Sequence, residues 1–287
     1  MFPSKFDYVV ARSVEEAIAA KADGDDVRFL AGGQSLLPMM KTRLATPAKL
    51  VDINAIPGLD TLERNDGTLR VGALVRHAAL VRSDLTFGAV ASAAPWISDP
   101  LVRNRGTLCG SVSHCDPEGD WNSVLLATGA DVIARGQQGE RVIPISDFVT
   151  GVFTNSLADD ELVTEVRIPV PGGSSGGSYQ KLERKVGDYA TVGVAAHLEL
   201  AGDGTISRAG VALTAVAPIN TKATAAEQVL VGQQPSDELF AQAGELAARA
   251  SDPRGDVRGS AEWKRNVVKV FTRRALSAAA AEARGNG

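Results

Sequence analysis

"LAGGQSL", residues 30–36, ends an apolar run and opens a helical one, and "GTLCGSVSH", residues 106–114, has the same small-residue texture. A tight turn needs one glycine, and these runs hold more open backbone than a turn requires. Amide N–H groups left bare by small side chains suit phosphate oxygens, above all where a strand runs into the first turn of a helix. What flanks the first run decides the fold. Upstream, "KFDYVVA" reads as a strand. Ser13 reads as an N-cap with Glu16 closing a capping box, and a helix follows to Ala22. "VRFLA" is a strand that enters the run, "LPMMKTRLA" a helix that leaves it, and "KLVDI" the next strand. A βαβαβ rhythm within roughly fifty residues predicts a small α/β unit.

From Leu59 the pattern changes. "DTLERNDGTLRVGALV" reads as a hairpin turning at Asn65-Asp66-Gly67, and "RHAALVRSDLTFGAVASAAPWIS" as largely helical. Asp120 is placed to cap "WNSVLLAT", which Gly129 would stop. Strands "DVIAR" and "RVIPIS" flank "GQQG", and "ELVTEVRIPV" is one more. "PVPGGSSGGS", residues 169–178, reads as a linker. Beyond it come strands "YQKLERK", "TVGVAAHLEL" and "ISRAGVALTAV", then helices near 221–230, 236–250 and 260–283. The last opens at Ser260, presents Trp263, Val267, Phe271 and Leu276 at mostly helical spacing, and is expected to fray over "ALSAAAAEARGNG". The expected division is 1–57, 58–176 and 177–287. The two runs resemble each other only as loops, so no internal repeat is assigned.

Composition narrows the function classes. A formal net charge of −4 over 287 residues gives no basic footprint for nucleic acid. The longest apolar runs fall short of a membrane span, and "MFPSKFDYVVARS" has no secretory pattern. Both cysteines, Cys109 and Cys115, lie in or beside the second run, which argues against a disulfide framework and for a reduced, cytoplasmic setting.

The motifs support binding more than acid–base chemistry. "AGGQSL" is neither a Rossmann fingerprint, since the third glycine is missing, nor a Walker loop, since no G-K-[ST] follows. Its alternatives are a phosphate cradle with the Ser35 hydroxyl and a plain strand–helix turn. In the second run Thr107, Gly110 and Ser111 offer small groups and hydroxyls, and Asp116 and Asp120 are acceptors suited to ribose hydroxyls. His114, Cys115 and Asp116 are consecutive and so do not converge on one metal ion. Tyr189, before a strand in "KLERKVGDYATV", could stack on a planar ring or merely border the core. His77 and His197 read as structural, and no Ser-His-Asp pattern appears.

"FDY", "AGGQSLLPMMKTRLATPAKLVDI", "RNRGTLCGSVSHCDPEGD", "ELVTEVRIP" and "KLERKVGDYATV" occur in this order. With them the chain resembles, over essentially its whole length, the medium, FAD-binding subunit of molybdenum hydroxylases (the xanthine dehydrogenase family). "MKTRLATP" and "RKVGDYAT" point within that family to aerobic carbon monoxide dehydrogenase; xanthine, nicotine, aldehyde and N-heterocycle enzymes share overlapping motifs. The resemblance implies an α+β chain with the vanillyl-alcohol-oxidase-like (PCMH-type) FAD-binding fold, two α/β subdomains and a C-terminal α+β domain. It implies FAD on this chain, molybdopterin cytosine dinucleotide on a large molybdenum subunit, and two [2Fe–2S] clusters on a small iron–sulfur subunit. A dimer of heterotrimers is expected, cytoplasmic, with peripheral attachment to the inner face of the membrane if the acceptor is a quinone. It also implies site roles. Ala31, Gly32, Gly33, Gln34, Ser35 and Leu36 would form one diphosphate loop, and Thr107, Cys109, Gly110 and Ser111 the other. Asp116 and Asp120 would lie near the ribose, Leu162 would offer backbone, Lys181 would reach the cofactor and Tyr189 would sit against the flavin. No catalytic acid or base and no metal ligand is expected on this chain. Where the family reads T-I-G-G-N, this chain has Cys109 for a glycine and Ser111 for asparagine, so a left-handed backbone at Cys109 would be strained.

Overall fold

The computed structural model describes residues 2–285. The first unit holds β1 (Asp7–Val10), α1 (Val14–Ala22), β2 (Val27–Leu30), α2 (Leu36–Lys41) and β3 (Lys49–Asp52). Its strands form a parallel sheet in the order β1-β3-β2, with Val51 paired to Val9 on one side and Phe29 on the other. Ser13 caps α1 as expected, its Oγ accepting from the Glu16 N–H at 3.1 Å. The return bond differs from the standard box: the Glu16 carboxylate accepts from the N–H of Arg12 at 2.7 Å, one residue before the cap.

The second unit begins with the hairpin β4 (Leu62–Asn65) and β5 (Thr68–Gly72). Asp66 and Gly67 both have positive φ, 48° and 71°, the twist a two-residue hairpin turn requires. The tract expected to be largely helical, 76–98, holds α3 (His77–Arg82), α4 (Gly88–Ala93) and a short 3-10 turn, and α5 (Pro100–Arg105) follows it. Thr86 closes α3 by donating from its hydroxyl to the Ser83 carbonyl, and Asp99 caps α5 by accepting from the Val102 N–H. Then come α6 (Leu108–His114), α7 (Asp120–Thr128), β6 (Asp131–Gly136), β7 (Gly139–Pro144), α8 (Ile145–Phe148), β8 (Val149–Gly151), β9 (Thr154–Asn155) and β10 (Leu162–Pro169). The sheet is antiparallel, in the order β4-β5-β10-β6-β7. Two readings are corrected here. The second small-residue run is a helix, α6, rather than a loop. Asp120 does not cap α7: Gly119 is the N-cap, and Asp120 is the first helical residue with its side chain turned inward. Gly129 ends the helix in the left-handed conformation, as expected.

The third unit is the antiparallel sheet β11 (Ser175–Leu182), β12 (Val192–Leu200), β13 (Ile206–Thr214) and β14 (Thr221–Lys222), with α9 (Thr224–Leu230), α10 (Asp237–Ala250) and α11 (Ala261–Gly285). The expected linker is shorter than its glycines suggest, because β11 starts inside it. A Cβ on Gly176 would lie 2.1 Å from the Ala279 carbonyl oxygen on α11, and one on Gly177 would lie 2.3 Å from the Ala89 nitrogen on α4. These glycines let helices lie against the strand; they are not hinge residues. Both faces of β12 are covered. Val194, Ala196 and Leu198 belong to the core under α10 and α11, whereas Ala195 joins the core shared with α7, which explains a strand without polar alternation.

On α11 the buried stripe is Lys264, Val268, Thr272, Ala275, Ala279 and Ala283. Of the four residues expected there Leu276 is fully buried, Val267 and Phe271 pack partly buried against the same core, and Trp263 remains 43% exposed. The tail does not fray within the described residues: small alanines seat it on Gly176, and only the last two residues of the expected frayed segment lie outside them. No helix among the described residues is long and apolar enough to cross a membrane.

Candidate cofactor-binding site

A cleft of about 930 Å³ runs between the first two units and reaches the segment before β12. Ala31, Gly32, Gly33, Gln34, Ser35, Leu36, Thr107, Cys109, Gly110, Ser111, Asp120, Leu162, Lys181 and Tyr189 all line it; Asp116 does not.

The first run follows the end of β2. Gly33 has φ +74°, which turns the chain from strand to helix, and α2 begins at Leu36. The N–H groups of Gly32, Gly33, Gln34, Ser35 and Leu36 meet no acceptor among the described residues, and the first internal bond is from the Leu37 N–H to the Gly33 carbonyl, 3.1 Å. This run therefore presents the bare amides the sequence promised. The second run does so only in part. Its Leu108 N–H donates to the Val75 carbonyl, its Gly110 N–H to Thr107 Oγ1 and its Ser111 N–H to the Thr107 carbonyl, while the N–H groups of Thr107 and Cys109 meet no acceptor among the described residues. It supplies a wall, hydroxyls and two separated donors rather than a second continuous row. Cys109 carries no strained backbone, because it lies within α6 and its buried thiol donates to the Val71 carbonyl at 3.4 Å. The left-handed residue is Cys115, φ 52°, where α6 ends.

The two runs touch through backbone. A Cβ on Gly32 would lie 2.4 Å from the Arg105 carbonyl oxygen and 2.7 Å from Gly106 Cα. A polar chain reinforces the contact. Arg76 Nη1 donates to the Arg105 carbonyl and Nη2 to Asn54 Oδ1, both at 2.6 Å, and Asn54 Nδ2 donates to the Ala31 carbonyl at 2.9 Å. Neither Asn54 nor Arg76 stood out in the sequence. Asn54 does follow the end of a parallel strand, where α/β folds place ligands, and that position could have flagged it. Arg103 Nη1 gathers the carbonyls of Pro95, Ile97 and Ser98, at 3.2, 3.0 and 2.7 Å, and fixes the rim above α5.

Deeper in, α7 and β11 bring together a buried ion pair. Lys181 Nζ donates to Asp120 Oδ2 and to the Trp96 carbonyl, each at 3.0 Å, and lies 3.5 Å from Glu183. Tyr179 donates to the other Asp120 oxygen at 2.6 Å, so both oxygens expected near a ribose are already engaged within the protein. Burial raises the Asp120 pKa, with Lys181 opposing it, and burial beside that carboxylate pushes the Tyr179 phenol well above its usual range.

Tyr189 is 47% exposed at the cleft edge. Its phenol is pushed up to about 12 by partial burial and the neighbouring charges of Asp116 and Glu118. Asp116 is thus a neighbour of this ring rather than part of the wall; it accepts from the Glu118 N–H at 2.9 Å. Gly187, φ +85°, holds the segment against Ser98, whose hydroxyl donates to the Gly187 carbonyl. His197 is buried on β12 beside Glu199, away from the cleft. His77, expected to be merely structural, lines the cleft.

Burial, with Arg103 and Arg76 nearby, lowers the His77 pKa from 6.5 to about 3. As pH falls below 6.5 the unfolded chain takes up a proton that the folded chain refuses. The associated stability is therefore complete above 6.5 and is lost progressively towards pH 3. Urea midpoints between pH 7.5 and 4.5 are expected to fall more steeply for the wild type than for His77→Phe; parallel profiles would contradict this assignment.

Bare amides at a strand–helix turn, a second wall held on it and an aromatic at the rim define a protein that binds a dinucleotide cofactor. The chain belongs to the FAD-binding family of molybdopterin dehydrogenases: residues 4–171 match the FAD binding domain in molybdopterin dehydrogenase, and residues 177–279 the CO dehydrogenase flavoprotein C-terminal domain. It is 38% identical to the 6-hydroxypseudooxynicotine dehydrogenase complex subunit alpha of Paenarthrobacter nicotinovorans, over 99% of this chain and 97% of that one. It is 36% identical to the carbon monoxide dehydrogenase medium chain of Hydrogenophaga pseudoflava, over 97% and 98%. Among solved structures, carbon monoxide dehydrogenase from Hydrogenophaga pseudoflava lacking the Mo-pyranopterin moiety superposes with a TM-score of 0.94 at 38% identity, covering 98% of this chain and 99% of that one.

Proposed function

We propose that this chain is the FAD-carrying electron-transfer subunit of an aerobic carbon monoxide dehydrogenase. It would take electrons from the [2Fe–2S] clusters of a small subunit, which a large molybdopterin cytosine dinucleotide subunit supplies, and pass them to a quinone. The single observation carrying the FAD reading is the run of bare amides from Gly32 to Leu36 along a cleft of about 930 Å³. In this reading those amides meet the diphosphate, Ser111 and Thr107 close the opposite wall, Leu162 offers backbone, and Tyr189 bounds the flavin ring. The Lys181–Asp120 pair keeps α7 and β11 in register beneath it. Bound FAD would accept electrons singly and release them in pairs; no side chain of this chain is assigned as acid or base.

We further propose the division 1–57, 58–176 and 177–287, a dimer of heterotrimers, and a place on the cytoplasmic side of the inner membrane. The choice of carbon monoxide rests on "MKTRLATP" and "RKVGDYAT" and on full-length similarity. The comparably similar nicotine-pathway relative supports a second reading, in which the large subunit oxidises an N-heterocycle or a related substrate. Profiling the purified complex decides between them. Carbon monoxide should bleach the flavin absorption and reduce a quinone analogue. A complex inert to carbon monoxide but reduced by an N-heterocycle or aldehyde assigns the second reading, and a preparation without flavin bands refutes both.

Tyr189→Ala removes the ring at the edge of this site. The flavin potential or the rate of transfer to acceptor should change, while affinity weakens by about 0.5–1.5 kcal/mol. Potentiometry and equilibrium binding check this; an unchanged potential, turnover and affinity would remove Tyr189 from the site.

A further inference from the structure

His77 is 3% exposed, yet its ring borders the cleft. Its Nδ1 accepts the indole N–H of Trp121 at 3.1 Å. A neutral imidazole whose Nδ1 accepts must carry its proton on Nε2, and the suppressed protonation keeps the ring neutral at physiological pH. Trp121 is itself 1% exposed on α7, so the tautomer is set by a partner that cannot swing away. Among the described residues no protein acceptor meets Nε2–H, and this nitrogen is not one of the wholly buried side-chain atoms left without a partner, as fits a ring edge that borders the cleft.

The ring edge lies directly behind Gly106, where an added Cβ would be 2.9 Å from both Cδ2 and Nε2. Gly106 has φ −60° and ψ 149°, a conformation open to any residue, so the backbone alone gives no reason for glycine. The approach of the imidazole does. Gly106 is also the residue against which Gly32 packs, at the start of the bare amides. Gly106 thus links the ring edge to the start of the amide row, and all three residues line the cleft.

We infer that His77 is a further binding residue of this site, donating from Nε2–H past Gly106 to a diphosphate oxygen of the bound dinucleotide. The inference rests on the FAD reading above. A neutral donor suits the place: it adds a directed hydrogen bond without placing a buried cation beside Arg76 and Arg103, both of which disfavour a charged ring.

The test uses the full chain stripped of flavin and labelled with ¹⁵N. FAD, ADP and riboflavin are added separately, and the histidine ring resonances are followed. The spectrum should show the Nε2–H tautomer throughout. FAD and ADP should shift the His77 Nε2 and Hε2 signals, and riboflavin, which has no diphosphate, should not. His77→Phe keeps the ring bulk and should weaken FAD and ADP binding about tenfold, about 1.4 kcal/mol, with riboflavin binding unchanged. Should FAD bind with its usual fluorescence quenching while the His77 resonances stay fixed, or should the ring carry its proton on Nδ1, the inference fails and the FAD reading stands. If neither FAD nor ADP binds, both fall. If ADP binds and shifts His77 while FAD does not bind, the diphosphate contact holds and the FAD reading fails.

Discussion

Lys181→Met is expected to destabilise the folded chain by about 3–5 kcal/mol, the usual cost of leaving one buried charge without its partner. The Lys181 side chain is 1% exposed and stands between Asp120, 8% exposed, and Glu183, 11% exposed. Among the described residues Glu183 Oε2 has no hydrogen-bond partner, and Lys181 Nζ at 3.5 Å is the cation beside it. Without the lysine Asp120 would hold a proton in the folded state at a pH where the unfolded chain has lost it. A folded-state pKa raised above the unfolded one makes the variant more stable as pH falls, so the deficit should shrink from pH 8 to pH 5. Removing the stranded charge as well, in Lys181→Met with Asp120→Asn, should restore much of the loss. Urea unfolding at the two pH values measures all three proteins. A loss below about 1 kcal/mol for the single variant would mean the pair is solvated rather than buried.

Gly32→Val should abolish flavin retention. Its Cβ would collide with the Arg105 carbonyl oxygen and Gly106 Cα, which are backbone atoms and cannot rotate away. The two runs must separate, and Arg76 can then no longer bridge Arg105 and Asn54. Overpacking of this kind costs about 1–3 kcal/mol, well within what a domain tolerates, so a folded but flavin-free protein is the expected product. Gly33→Val acts differently: the added side chain meets only the flexible ends of Leu37 and Leu30, but φ +74° penalises any branched residue. Gly172→Val, where an added Cβ would meet nothing within 4 Å among the described residues beyond its chain neighbours, is the neutral control. Flavin absorbance per chain after gel filtration, with circular dichroism for folding, checks the series. Full flavin content in Gly32→Val would show that the runs need not touch.

The features legible in the sequence were those encoded locally. Ser13 and Gly129 announced a helix start and stop, Asp66-Gly67 a hairpin, and alternating or continuous apolar runs the strands. The first run was legible because a strand, two glycines and a helix are consecutive. The remaining features depend on residues far apart in the chain. Gly176 and Gly177 look like linker glycines until α11 and α4 are seen resting on them. The second run looks like a loop because its glycine and serines hide the cap at Thr107. On α11 Val267, Phe271 and Leu276 do pack on the core, whereas the alanines buried beside them give a weak apolar signal and Trp263 stands half exposed. His77, Asn54 and Arg76 act only through partners that folding brings to them. In the family resemblance the second run is a phosphate loop; in the structure the Gly110 and Ser111 amides are spent on the helix cap and the Leu108 amide on Val75, which leaves Thr107 and Cys109.

Burial pushes the thiols of Cys109 and Cys115 up, the latter to about 12, so almost no thiolate exists at neutral pH. Alkylating reagents can reach either sulfur only when the protein opens locally. Cys109 is released when α6 lifts from the Val71 carbonyl on β5, and Cys115, whose own carbonyl accepts from the Phe153 N–H, when the β8–β9 ribbon moves. The chain therefore carries two built-in timers: the labelling rate at each cysteine counts how often one wall of the cleft comes apart, and a ligand that clamps that wall should slow the clock at Cys109 in proportion to its own occupancy.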